Sequence, residues 1–277
     1  MEKTDVINSL DNTCKWKLLN ATTLKLLAVV LMFMDHIHQM FVSVGAPTWL
    51  TMAGRLVFPI FLFAASESFH YTCNKKKYLQ RLLFASWGMT IFTFALQNVM
   101  PNSNVVLMNN AFSTFFISGL YMLFWDNFVE GLRNKKPKQM IKAILCCFIP
   151  VLCALPMFFA AALSSNENIP FTFVKMLIMI SLLIPNLLSV EGGAALVALG
   201  VAFYIFRKHR GIQIAILLIL SAVVYVMNRD IQWMMCFAAI PIALYNGKRG
   251  KGMKNFFYIF YPLHIGLLYI ISTIFCS

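Results

Sequence analysis

The stretch Leu24–Val44, LKLLAVVLMFMDHIHQMFVSV, is an apolar run that carries Asp35, His36 and His38 in its second half. Ionisable groups inside a hydrophobic helix are expensive, about 2.5–3.5 kcal/mol for an Asp near the centre, and they face a protein interior or an aqueous cavity. An imidazole is the natural proton acceptor near neutral pH, and a neighbouring carboxylate raises its basicity and fixes its tautomer. Asp35-His36 therefore reads as an active-site pair, with His36 the general base and Asp35 the group that holds its ring. An interhelical hydrogen-bond clamp is the plainer use of the same residues.

Other polar residues gather at comparable depth. At 1.5 Å per residue, Arg55 in the returning helix falls level with Asp35, and pairing would lower the burial penalty of both. Pro59, four residues on, predicts a bend and a freed carbonyl there. His36 lies about 100° round the helix from Asp35, so it projects into a different space from that ion pair. In the last apolar run, His264 follows Tyr258, Tyr261 and the kinking Pro262, and falls near the midplane. The catalytic set read from the chain is thus His36, Asp35, Arg55 and His264. Arg55 serves either to balance Asp35 or to stabilise an oxyanion.

A second group lies towards the cytoplasmic side. Glu67 is followed by Lys75, Lys76, Lys77, Tyr78 and Arg81, an electropositive mouth suited to an anionic, phosphate-bearing cofactor. The lysine triplet alone is equally well explained as a topology signal. Asn110, Thr114 and Ser118 recur at i, i+4 and i+8 and line one helical stripe, where small polar residues serve as packing contacts or as ligand contacts.

These residues are positioned by a membrane bundle. The 277 residues are 60% hydrophobic and 12% charged, about half the charged fraction of a soluble domain. The net charge of +13 comes in clusters between apolar spans, the pattern of cytoplasmic loops rather than of a nucleic-acid surface. The seven cysteines are scattered, without CxxC or metal-ligand spacing, so neither a metal site nor a disulfide framework is expected. The expected fold is an all-α polytopic transmembrane helix bundle of about nine or ten spans. Residues 1–20 read as a polar cytoplasmic segment and 21–277 as a single integral membrane domain. The loop 164–168, lacking Lys and Arg, is expected outside. Pro150 and Pro156 predict kinks, and Pro185 makes 171–188 the doubtful crossing.

The motif order LK..A...M..DHI, GR..FPIF, then Glu67 with a basic start to the third span, and FYIFYPLHI at the end, resembles the TraX family. These are bacterial integral membrane proteins named for acetylation of the N-terminus of conjugative pilin. The resemblance runs from about residue 22 onward and implies sites at Asp35, His36, Arg55, Glu67, Arg81 and His264. It departs from the family pattern at His38 and Ser68, where glycines are expected. By this likeness the chain is expected to be an acyltransferase of the bacterial plasma membrane, moving acetyl from cytoplasmic acetyl-CoA to an amine or hydroxyl of an extracytoplasmic protein N-terminus or sugar. His36 would act either as general base or as a short-lived acyl-histidine. The other class open to these residues is a proton-coupled transporter with Asp35, His38, Glu67 and His264 as a relay.

Overall fold

A computed structural model describes residues 17–164 and 170–276. Of the cytoplasmic segment expected at 1–20 and the external loop expected at 164–168, residues 1–16 and 165–168 lie outside the described residues. The described chain is helical, and its only strand-like pairing is an isolated parallel bridge between Leu19 and Tyr245. Six helical stretches are long and apolar enough to cross a membrane: Ala21–Val44, Trp49–His70, Lys75–Val99, Pro137–Ser164, Arg210–Asn228 and Asn255–Phe275. The all-α membrane bundle is therefore as expected. The remaining expected crossings fall on shorter apolar helices, Thr172–Leu182, Gly193–Ile205 and Ile231–Ala243, and on Ala111–Arg133. That helix has the length, but Ser113, Thr114, Ser118, Asp126 and Asn127 make it more polar.

The chain packs as two compact units. The first comprises residues up to Ala64 and from Phe206 onward. It contains α1 (Ala21–Phe41), α2 (Trp49–Gly54) and the first half of α3 (Val57–His70). The side chain of Asn20 caps α1 by accepting from the Thr22 and Thr23 amides at 2.9 Å. The α1–α2 turn closes through Gly45 at φ +89°, a left-handed conformation open to glycine without strain. The second span is interrupted at Arg55–Leu56. Pro59 explains the break, since it has no N–H to donate to the Arg55 carbonyl and its ring crowds that oxygen.

Later in the chain the same unit holds further helices. They are α11 (Arg210–Asn228), the 3-10 segment Ile231–Ala238, α12 (Ala239–Ala243) and α13 (Lys254–Cys276). Both α2 and α13 pack on α1. The start of α1 is also laced to the segment before α13. Leu19 donates to the Leu244 carbonyl at 3.0 Å and Asn246 donates to the Leu19 carbonyl at 2.8 Å. The Ala21 amide donates to Lys248 at 2.9 Å, and the Thr22 hydroxyl donates to the Lys251 carbonyl at 2.6 Å.

The second unit, Ala65–Ile205, contains α4 (Lys75–Val99), α5 (Ala111–Arg133), α6 (Pro137–Cys146), α7 (Ile149–Leu152), α8 (Leu155–Ser164), α9 (Phe171–Leu182) and α10 (Gly193–Ile205). Its core joins Phe69, Leu79, Met122 and Tyr204. Beside that core, Lys75 is ion-paired with Asp126, and the Tyr204 hydroxyl donates to the same carboxylate at 2.8 Å. The lysine also sits over the Phe69 ring at 5.0 Å. Three helices thus meet on one carboxylate. Asp126→Asn is expected to lower the unfolding free energy by about 1–2 kcal/mol, because the pair is only partly screened by solvent. A thermal melt of the purified protein that matches the wild type would contradict this.

Candidate active site

The candidate side chains of the first unit are placed by two close helix contacts. Where α13 packs on α1, His36 and His264 meet. His36 Nδ1 lies 2.6 Å from His264 Nε2, and the rings are stacked at 4.8 Å. Both residues are buried, 5% and 4% exposed. His264 Nδ1 lies 2.7 Å from the Phe260 carbonyl one turn earlier in α13. A carbonyl has only lone pairs, so His264 must carry its proton on Nδ1 and, as a neutral ring, accept at Nε2. The bond between the rings then requires His36 to donate from Nδ1. This leaves the basic lone pair of His36 on Nε2. Aromatic rings surround the pair: Phe260 is stacked on His264 at 4.7 Å, with Phe33 and Tyr261 at 6.2 and 6.0 Å.

The second contact, of α2 on α1, is set by Gly54. A Cβ at that position would stand 2.3 Å from Asp35 Cγ, so only glycine allows the helices this close. The next residue, Arg55, lies in the break before α3 and donates to Asp35 Oδ1 at 3.0 Å. It also donates to the Thr51 carbonyl at 3.1 Å, the Thr51 hydroxyl at 2.7 Å and Gln232 Oε1 at 3.0 Å. Four of the guanidinium's five N–H groups are thereby engaged. The Asp35 carboxylate goes to Arg55, and it is His264 that holds the His36 imidazole. This corrects the expected role of Asp35: neighbours in sequence diverge by about 100° on a helix.

The residues expected to hold a cofactor lie in the second unit and fare unevenly. Lys75, expected at the electropositive mouth, is ion-paired with Asp126 and lies 3.3 Å from the Tyr204 hydroxyl. Tyr78 packs edge-on against Phe69 at 5.7 Å. The Asn110 amide donates to Ser86 and Thr90 at 3.1 and 2.9 Å, and the Thr114 hydroxyl donates to the Glu191 carbonyl at 2.8 Å. Of the two uses open to the polar stripe, those two residues take packing. Lys76 and Lys77 are exposed, and Glu67 is half-buried with polar contacts of its own. Arg81 differs: its Nε is buried without a hydrogen-bond partner among the described residues.

Sequence reasoning missed Gln232, Asp126, Tyr204 and Glu191. Gln232 has a visible signal, since Asp230 begins a helical segment and accepts from the Gln232 amide at 2.9 Å. A polar side chain opening an apolar run is worth tracing to a buried charge. Asp126 was legible as an acid within a long apolar helix.

Fold and site together define a polytopic membrane protein with a buried imidazole pair beside an Asp–Arg pair. The family model for TraX protein matches residues 20–165 and 151–272. The chain belongs to the TraX family and is a multi-pass bacterial membrane protein. It is also similar to the probable fimbrial assembly protein FimC, serogroup H1, of Dichelobacter nodosus, 39% identical over 67 residues. That match covers 24% of this chain and 28% of the relative's length. No solved structure matches the chain. Among the described residues, no group of His, Cys, Asp and Glu is arranged to hold a metal ion.

Proposed function

We propose that this chain is an acyltransferase that moves an acetyl group from cytoplasmic acetyl-CoA to an amine or hydroxyl of an extracytoplasmic acceptor. The observation that carries the reading is the imidazole pair, whose carbonyl anchor puts the basic lone pair on His36 Nε2. In this reading His36 Nε2 takes the proton of the incoming amine or hydroxyl as its heteroatom attacks the thioester carbon. The imidazolium formed shares its Nδ1 proton with His264. It then returns a proton to the departing thiolate, leaving acetylated acceptor and free CoA thiol. Arg55, largely committed to neighbours, acts by holding Asp35. Its remaining Nη1 hydrogen leaves room for a smaller electrostatic part.

Lys76, Lys77 and Arg81 are the residues for the anionic phosphates. The unpartnered buried Nε of Arg81 supports an acceptor there. The fimbrial assembly relative favours a pilin N-terminus as acceptor, with a surface glycan as the alternative.

Purified protein in nanodiscs is expected to bind acetyl-CoA saturably and to release free thiol. Absence of both, in protein shown to be folded, would overturn the proposal. A proton relay through the same residues is less well supported. The His36–His264 chain ends on a backbone carbonyl, which cannot take a proton onward. In addition, His38 Nδ1 is buried without a hydrogen-bond partner among the described residues.

A further inference from the structure

Outside both residue sets, α6 and the start of α7 carry a groove of about 510 Å³ lined by Lys138, Ile141, Lys142, Leu145, Cys146 and Ile149. We propose that this groove binds an anionic phospholipid, its phosphate between Lys138 and Lys142 and an acyl chain along Ile141, Leu145 and Ile149.

The lining has the two-part chemistry of such a lipid. Lys138 and Lys142 are one turn apart on one stripe of α6, Ile141 and Leu145 are one turn apart beside it, and Ile149 follows at the start of α7. The two lysines occupy the early turns of α6, which begins with Pro137 at its first position. The positive end of the helix dipole there adds to their charge. The floor is apolar and outward-facing, with Ile141, Leu145 and Ile149 56%, 61% and 50% exposed.

The opposite side of α6 is occupied by protein. Ala143 is buried, and Gly131 of α5 comes so close that a Cβ would meet Met140 Cγ at 3.0 Å. The groove is therefore on the side away from α5. Arg133, Lys135 and Lys136, all exposed just before α6, extend the same sign of charge, while Glu130 is the acid nearest along the chain. Apolar surface on a helical stretch of 28 residues that can cross the bilayer meets acyl chains as its solvent, and the lysine rim selects among headgroups by charge.

Native mass spectrometry of the full chain in mild detergent, titrated with phosphatidylglycerol or phosphatidylcholine, tests this. Phosphatidylglycerol is expected to bind more tightly. Lys138→Gln with Lys142→Gln should weaken it roughly tenfold and leave phosphatidylcholine unchanged. Lys248→Gln with Lys251→Gln, an equally basic exposed pair, should have no such effect. Equal weakening by both double variants would reduce the site to diffuse surface charge and overturn the proposal. So would displacement of the lipid by millimolar inorganic phosphate, or a dimer that Leu145→Asp dissolves.

Discussion

His36→Ala is expected to lower acetyl-CoA-dependent thiol release by a factor on the order of 10²–10⁴, the usual contribution of a positioned general base. The substitution removes the one nitrogen whose lone pair the hydrogen-bond chain from the Phe260 carbonyl directs away from His264. Free-thiol release is the direct reading, with acetyl-CoA binding measured in parallel by calorimetry. Binding should survive, because the proposed phosphate contacts at Lys76, Lys77 and Arg81 are untouched. A folded His36→Ala protein that still turns over at the wild-type rate would remove His36 from the chemistry and with it the proposed mechanism.

Gly54→Ala is expected to be nearly as damaging, without touching an ionisable group. The added methyl would lie 2.3 Å from Asp35 Cγ and 2.4 Å from its Cβ. Asp35 Cβ is fixed to the backbone, so α1 and α2 must separate rather than a side chain rotate. Overpacking of this kind costs about 1–3 kcal/mol. It also pulls the carboxylate from Arg55, leaving two part-buried charges poorly compensated. The melting temperature should fall and turnover should drop together. Asp35→Asn separates the two effects, since it keeps the shape and removes the charge. A Gly54→Ala protein with wild-type stability and activity would show that the helices tolerate wider spacing.

The sequence made the helices legible because their apolar runs meet the length a bilayer demands. It also placed Arg55 level with Asp35, since opposite charges and the rise per residue constrain depth on antiparallel neighbours. The contact between His36 and His264 was beyond such counting. Each was visible as a buried histidine, but no spacing rule relates residues 228 apart. The partner of Lys75 was hidden for a related reason. A lysine triplet after an apolar run already has a sufficient explanation in topology, so nothing in it pointed to Asp126, 51 residues on. Asn110 and Thr114 presented a correct stripe whose use depended on Ser86, Thr90 and Glu191 from other segments.

The pairing of α1 with α13 has a consequence for how the protein is made. Chains emerge at roughly 5–20 residues per second, so His36 enters the bilayer well before His264 is synthesised. During that interval its Nδ1 lacks the acceptor that fixes the tautomer, and the start of α1 lacks the Leu244–Lys251 segment that ties it down. A ribosome that stalls before α13 therefore leaves α1 with the His36 tautomer unset. The orientation of protons on the His36 imidazole is thus coupled to completion of translation.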